Sequence, residues 1–465
     1  MNLFKTKFLL PILAGMVFLY SCEAIMNSDP GETSDVIEEG TAIDFVFEAQ
    51  KHYYYAYLAY CVNAEKYRDV TGGASGAQAH IQQIAQERIK GANTNKALQA
   101  AFGKDTLVWG PFLAVNDQGD ASYVSENLLY CIKKVGAPEY YVGIAGTNMM
   151  SPYDWFVEDL QTNEQVDWLV DGKISKGAQI GFNILNGFMD TDTGLTLVEF
   201  LKQEVDKSPA ATISVAGHSL GGALTQVYAS YLNETLSGAN VQAWVYAGPS
   251  AGDKTFADSL NAQLDAYHAY NNKYDMIPHA WEKDKLEELC TLYNGMDVCG
   301  TTLASNLTLN AIVKYFLDES EEGNYQTPGT PDTFSIGQLK MTTGACDSLK
   351  KDIHKIWKYG DFNDVYKYLN DINKSCTNGS KISEPAFYQF FYQASEMGGQ
   401  HTTAYFNYFF QGRTSDFYTA IHQAVPSAKM TTEREDEARI IIEKFLKEVK
   451  NKGITDCTCS SKKPS

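Results

Sequence analysis

The sequence predicts an α/β fold built on a largely parallel central sheet. Continuous apolar runs of strand length at 140–145, 212–215 and 241–247 lack polar alternation, as strands buried on both faces require. Longer stretches of helix formers lie between and after them, so strand and helix alternate along the chain. A third observation fixes the centre of the layout. Gly217-His218-Ser219-Leu220-Gly221-Gly222 stands between the run at 212–215 and a breaker-free helical stretch at 223–232.

The elements follow in order. Closely spaced alanines and aromatics predict a buried helix over 42–67. Gly72-Gly73-Ala74-Ser75-Gly76 breaks the chain before two further helices, at 77–90 and 94–102. Strand signals follow at 106–109, 123–135 and 140–145, then helices at 174–188 and 195–205. After the serine segment come strands at 241–247 and 267–271. From 281 to 395 the pattern loses its regularity. This stretch holds a hairpin candidate at Asn294-Gly295, a loop rich in Gly, Pro and Thr around 325–331, and a helix over 349–359; it reads as an inserted cap region. Near the C-terminus, Thr432 and Glu435 form a capping box before an apolar stripe of Ala438, Ile441, Ile442, Phe445 and Val449, with Gly453 as the stop.

Composition narrows the function classes. The chain has 465 residues, 44% hydrophobic and 20% charged, which is ordinary globular material with ample core. A net charge of -19 offers no basic face for phosphates, so a nucleic-acid partner is excluded. No Cys-x-x-Cys or His-Glu-x-x-His spacing points to a metal, and the reading requires no metal and no organic cofactor.

The N-terminus reads as an export signal. Lys5 and Lys7 precede an apolar stretch, 8–20, too short to span a bilayer as a helix, and Leu19-Tyr20-Ser21-Cys22 closes it. The block is similar to a bacterial lipoprotein signal. That implies a signal peptide at 1–21, Cys22 as the lipidated first residue of the mature chain, and attachment to a bacterial membrane, expected to be the outer membrane. Residues 22–41 are polar and acidic and read as a flexible tether, leaving the folded domain at 42–465. Eight further cysteines suggest disulfides in an exported protein. Cys290 with Cys299, Cys346 with Cys376, and Cys457 with Cys459 are the expected pairs. Cys61 and Cys131 sit in apolar segments and are expected to be core thiols.

The serine segment carries the chemistry. A strand, a glycine-flanked serine and a helix are the parts of a nucleophile elbow. The turn is so tight that side chains two residues either side of the serine would collide, which accounts for Gly217 and Gly221. Ser219 then projects from the strand end, with the helix amides beside the negative charge that forms when it attacks. His218 is too close in sequence to swing onto Ser219 and is expected to be a packed, hydrogen-bonded histidine.

Beyond the serine, residues 140–278 resemble the class 3 lipases, a family of serine hydrolases. The resemblance runs through Gly146-Thr147, Asp154-Trp155, Asp159-Leu160, Gly181-Phe182, the block from Gly217 to Gly222, Ala247-Gly248-Pro249, and Asn271 to Pro278. It implies an α/β-hydrolase fold, Asp275 as the acid that orients a histidine, and an oxyanion hole made by Thr147 and the backbone N–H of Leu220. Asp154 and Trp155 are read as anchors for the loop that carries Thr147.

A serine nucleophile needs a base that reaches it with one nitrogen and the acid with the other. After Asp275 the histidines are His279, His354, His401 and His422. His279 shares a short loop with Asp275, His354 lies beside three lysines on a helix, and His422 follows a helical stretch without a turn. His401 follows Gly398-Gly399, read as a mobile loop, and the block from His401 to Phe406 resembles the family's histidine followed by tyrosine. His401 is therefore the expected base. The expected activity is hydrolysis of acylglycerol or related lipid esters through an acyl-serine. The rival readings are phospholipase A1 or small-ester esterase chemistry on the same site, and a non-catalytic surface lipoprotein that binds a glycan or protein.

Overall fold

The computed structural model describes residues 43–63, 66–68, 71–117, 122–146, 162–359, 364–424, 446–454 and the single residues 443 and 457. The signal segment, Cys22, the tether, Thr147, Asp154, Trp155, Asp159, Leu160 and the capping box at Thr432 and Glu435 lie outside them. So do Ala438, Ile441, Ile442 and Phe445 of the C-terminal stripe; Val449 is buried in the cap core.

Twelve strands form one large sheet and two ribbons among the described residues. In chain order they are β1 (Lys66–Arg68), β2 (Asp105–Asp117), β3 (Ser122–Lys134), β4 (Glu139–Ile144), β5 (Gln165–Asp167), β6 (Lys173–Ser175), β7 (Thr212–His218), β8 (Asn240–Tyr246), β9 (Ala266–Asn272), β10 (Asp297–Val298), β11 (Thr301–Thr302) and β12 (Asp332–Phe334). The main sheet runs β1-β3-β4-β7-β8-β9-β12, with β2 paired to β3. The ladder from β4 through β12 is parallel, and the β2–β3 hairpin closes one side antiparallel. This is the α/β-hydrolase architecture expected from the sequence.

The parallel strands are buried on both faces because helices cover both. On one face lies the N-terminal helix Ile43–Asn63, sharing a core with the helices Gly73–Thr94, Thr403–Phe409 and Thr414–Ala424. On the other lie Lys176–Asn186, Leu197–Lys207, Leu220–Thr235 and Lys254–Gln263. A capping box opens Leu197–Lys207, where Thr196 and Glu199 satisfy each other's backbone amides. A third core lies mainly in the stretch expected as a cap. It gathers Trp281, Tyr293, Leu309, Phe316, Leu349, Leu369, Phe387 and their neighbours.

The N-terminal helix is bolted to the sheet by polar contacts. The hydroxyls of Tyr246 and Tyr130 donate to the carbonyls of Ala49 and Tyr55, each at 2.7 Å. Lys51 pairs with Asp105 at 2.9 Å with both side chains almost fully buried, and Tyr55 donates to the same carboxylate.

Several elements differ from the sequence expectation. Strand β2 does not end near Trp109. It continues to Asp117 through Gly110 (φ 72) and the cis Gly110–Pro111 bond, with register shifts on either side. A Pro-containing bulge is invisible to a search for period-two alternation. The glycine-rich segment at 72–76 breaks the chain only at Gly72; the helix begins at Gly73. The hairpin near Asn294 is shifted. Its ribbon is β10–β11, turning at Cys299 (φ 54) and Gly300 (φ 76), the two positive values such a turn needs. Strand β12 lies inside the irregular stretch yet joins the main sheet parallel to β9, so residues 281–395 are not wholly outside it.

The disulfides are also different. Cys299 pairs with Cys346, and Cys376 with Cys457. Cys290 is disulfide-bonded as well, but not to Cys299. All three expected pairs are therefore wrong, because sequence nearness does not determine which sulfurs meet after folding. Cys61 and Cys131 remain thiols, as expected.

One buried group makes the fold sensitive to acid. The His52 ring stacks on Trp244 with centroids 4.0 Å apart, and its Nδ1–H donates to the Glu48 carbonyl at 2.7 Å. Burial, the dominant cause, holds its pKa down to about 3 from 6.5. The unfolded chain therefore binds a proton that the folded chain refuses as pH falls below 6.5, so this contribution is complete above 6.5 and is lost toward pH 3. Urea unfolding between pH 7 and pH 4 is expected to give a shallower fall in stability for His52→Phe than for the parent chain. Parallel curves would contradict this role.

Candidate active site

The C-terminal ends of β4, β7 and β9 open onto the same edge of the sheet, where parallel α/β sheets place their sites. Strand β7 ends at His218. Ser219 then adopts φ 61 and ψ -128 before the helix Leu220–Thr235 begins. Positive φ is strained for a non-glycine residue and persists only where surrounding structure enforces it. Here the enforcement is direct. The Ser219 N–H donates to the Tyr246 carbonyl at 2.9 Å, and the Ser219 carbonyl accepts from Gly222 at 2.8 Å. A Cβ on Gly217 would lie 2.1 Å from the Gly221 carbonyl oxygen, and one on Gly221 would lie 2.6 Å from the Ile144 oxygen. Ser219 keeps 8% of its surface exposed, and Leu220 is the first residue of the helix, a position whose amide has no intrahelical acceptor.

The chain leaving β4 passes beside this turn. A Cβ on Gly146 would stand 3.4 Å from the Ser219 Cβ and 3.4 Å from the Tyr60 ring. Gly146 immediately precedes Thr147.

Asp275 follows β9 in a turn held by Asn272. The Asn272 carbonyl accepts from the Asp275 N–H at 2.9 Å, and its side-chain oxygen accepts from Tyr274 at 3.3 Å. The Asp275 side chain is fully buried and has two donors. Oδ1 accepts from the Ile277 N–H at 2.9 Å, and Oδ2 accepts from His401 Nδ1 at 2.8 Å. The Tyr405 hydroxyl accepts from the Asn272 N–H at 2.9 Å, in the same turn.

His401 is the last residue of the helix Glu384–His401, not part of a loop. Gly398 and Gly399 lie within that helix. A Cβ on Gly399 would come 2.4 Å from Leu339 Cδ1, so close packing rather than chain flexibility accounts for the second glycine. His218 completes the group. Its Nε2–H donates to the His401 carbonyl at 2.9 Å, and the two rings lie 4.7 Å apart. Burial, and next the charge of His401, hold His218 well below the usual imidazole range, so it stays a neutral donor. It is the packed, hydrogen-bonded histidine expected from the sequence.

The structure thus brings Asp275 and His401 into contact and sets His401 against the residue that precedes Ser219. His279 and His354 are engaged elsewhere. His279 directs Nδ1 to the Lys285 carbonyl at 3.2 Å. His354 is exposed on the helix Thr343–Lys358, 3.3 Å from the Tyr388 hydroxyl. His422 lies on the helix Thr414–Ala424. Sequence reasoning missed Asn272 as a partner of Asp275 and Tyr405 as a partner of Asn272. Both lie within quoted motifs, but their spacing gives no sign that they meet.

Comparison with known proteins supports the same region. Residues 141–285 match the profile of the family described as Lipase (class 3). A secreted mono- and diacylglycerol lipase of Malassezia globosa is 28% identical over 183 residues, covering 38% of this chain and 55% of its own. A lipase of Rhizomucor miehei is 30% identical over 104 residues, covering 21% of this chain and 29% of its own. The chain therefore spans about half or less of the curated relatives it matches. Among solved structures, the M37 lipase is 25% identical and covers 61% of this chain and 84% of its own, with a TM-score of 0.48. The lipase of Rhizopus microsporus var. chinensis is 16% identical, covering 54% and 75%, with a TM-score of 0.36.

The elbow makes a sharp stability prediction. Gly217→Ala sets a methyl group against a backbone carbonyl that cannot move without unwinding the first turn of the helix. It is expected to cost about 3 kcal/mol or more in urea unfolding, at the upper end of overpacking. A cost below about 0.5 kcal/mol, typical of surface changes, would mean the turn is not closed as described.

Proposed function

We propose that this chain is an exported, serine-dependent carboxylic ester hydrolase acting on acylglycerol lipids, with Ser219 as nucleophile, His401 as general base and Asp275 as its orienting acid. The observation that carries this reading is the buried hydrogen bond from His401 Nδ1 to Asp275 Oδ2 at 2.8 Å, formed beside the strained turn at Ser219. With Nδ1–H committed to the carboxylate, Nε2 is the nitrogen left to accept a proton.

The reaction follows from those roles. Ser219 Oγ attacks the ester carbonyl carbon while His401 Nε2 takes its proton. The carbonyl electron pair moves to oxygen, and the resulting oxyanion is held by the Leu220 N–H and by Thr147, the residue after Gly146. The tetrahedral species collapses, the alcohol leaves with the proton from Nε2, and an acyl-serine remains. Water then attacks the acyl carbon, giving a proton to Nε2. Collapse releases the carboxylic acid and returns the proton to Ser219 Oγ. Asp275 fixes the ring tautomer, and the Ile277 amide holds its carboxylate in place.

The class 3 lipase match over 141–285 and the lipase names of the relatives support a lipid ester as substrate. Export and anchoring through Cys22 rest on the N-terminal sequence, and one relative is described as secreted.

Two experiments test the proposal. A soluble form from Glu23 onward, which lacks the lipidated cysteine, is assayed on p-nitrophenyl esters of increasing chain length, with acylglycerol and phospholipid emulsions in parallel. Ser219→Ala and His401→Ala are each expected to lower kcat by on the order of 10⁶, whereas His279→Ala and His354→Ala stay within a few-fold. Near-wild-type turnover in His401→Ala, with collapse in another histidine variant, would overturn the assignment. For the anchor, Cys22→Ala is expected to abolish incorporation of radiolabelled palmitate in the exporting cell. Continued incorporation would place the lipid on another residue.

A further inference from the structure

His401 arrives at Asp275 at the end of a helix, and a buried polar chain ties that helix to the Asp275 turn. Gln400 precedes His401 and is fully buried. Its Oε1 accepts from Asn272 Nδ2 at 2.6 Å, and its backbone carbonyl accepts from the same amide at 2.8 Å. Its Nε2 donates to the Gly337 carbonyl at 2.9 Å and to Glu396 Oε1 at 2.8 Å. Glu396 lies one helical turn earlier and is 3% exposed; the same Oε1 accepts from the Leu339 N–H at 3.1 Å. Three backbone segments are thereby joined: the turn after β9, the segment after β12, and the helix that ends at His401.

A buried carboxyl is costly unless it does something that an apolar residue cannot. Glu396 touches neither Ser219 nor Asp275 in any described contact. Its two donors are the side chain that grips Asn272 and a backbone amide on the segment after β12. Asn272 is the residue whose carbonyl and side chain shape the Asp275 turn and whose amide holds the Tyr405 hydroxyl. We propose that Glu396 and Gln400 form a strut that sets the position of His401 relative to Asp275, making Glu396 a positioning residue for the reaction. The inference rests on the roles of Ser219, His401 and Asp275 proposed above.

The strut works through acceptor geometry. Burial pushes the Glu396 carboxyl up to about 7, against the two hydrogen bonds that lower it. One oxygen accepts both hydrogen bonds, so an amide carbonyl in its place can accept them too. Glu396→Gln therefore keeps the strut, and Glu396→Ala removes it. A displacement of about 1 Å in a catalytic group can cost on the order of 10²-fold in rate.

The test uses the whole mature chain. A fluorophosphonate probe first checks that Ser219 is acylated in the parent; failure there removes the underlying reading and the strut with it. Glu396→Ala is then expected to lose about 10- to 100-fold in kcat with KM within about threefold, while Glu396→Gln stays within about threefold of the parent in both. The deshielded proton of the His401–Asp275 hydrogen bond, followed by NMR, is expected to shift or broaden in the alanine variant and to stay in place in the glutamine variant. If Glu396→Ala does not fold, Gln400→Met cuts the same link without shortening the side chain and is expected to show the same kcat loss. Parent-like turnover and an unmoved proton in a folded strut variant, with Ser219 still labelled, would overturn the strut alone. Equal loss in Glu396→Gln and Glu396→Ala would also overturn it, since geometry would not be what Glu396 supplies.

Discussion

The structure depends on a backbone that reverses within a single residue. Ser219 is held at positive φ between a buried strand and a buried helix, and the surrounding chain leaves no room for side chains on either flank. Such a turn is costly for a non-glycine residue, and packing on all sides is what keeps it closed. The same crowding orders the neighbourhood. Strand β4 ends against the turn, β8 accepts the serine amide, and His218 at the end of β7 reaches the carbonyl of His401. The elbow is thus where the sheet, its covering helix and the distant C-terminal helices are brought to one point.

Distance along the chain is the second constraint. Asp275 and His401 are 126 residues apart, yet bond at 2.8 Å in the interior. The intervening chain makes a core of its own and crosses back to the sheet once, as β12. Disulfides fasten it at Cys299–Cys346 and Cys376–Cys457. At its end an 18-residue helix delivers His401. The position of a helix end is set by packing along its whole length, which is a stiffer arrangement than a loop offers.

Parts of this were legible in the sequence for physical reasons. Strands buried on both faces leave continuous apolar runs, so β4, β7 and β8 announce themselves. The elbow is local, and its glycines are required by its geometry. Asp275 sits in a short motif next to a strand end. What the sequence concealed is what arises only after folding. Strand β12 is three residues long and has no period to detect. Gly398-Gly399 looks like a breaker, but the space for Gly399 is taken by Leu339, 60 residues away. The disulfide partners, the bond between the Asn272 amide and the Tyr405 hydroxyl, and the chain from Glu396 through Gln400 to Asn272 all depend on contacts between distant segments. None of them leaves a mark in local spacing.

The central claim is that Ser219, His401 and Asp275 act as one unit. A crystal structure of the chain inactivated with a phosphonate ester tests it most directly. The account predicts phosphorus bonded to Ser219 Oγ and a phosphonyl oxygen on the Leu220 N–H. It also predicts His401 Nε2 within about 3.2 Å of a reacting oxygen, with Nδ1 still on Asp275. An adduct on another residue, or an adduct on Ser219 with a different histidine beside it, would contradict the account.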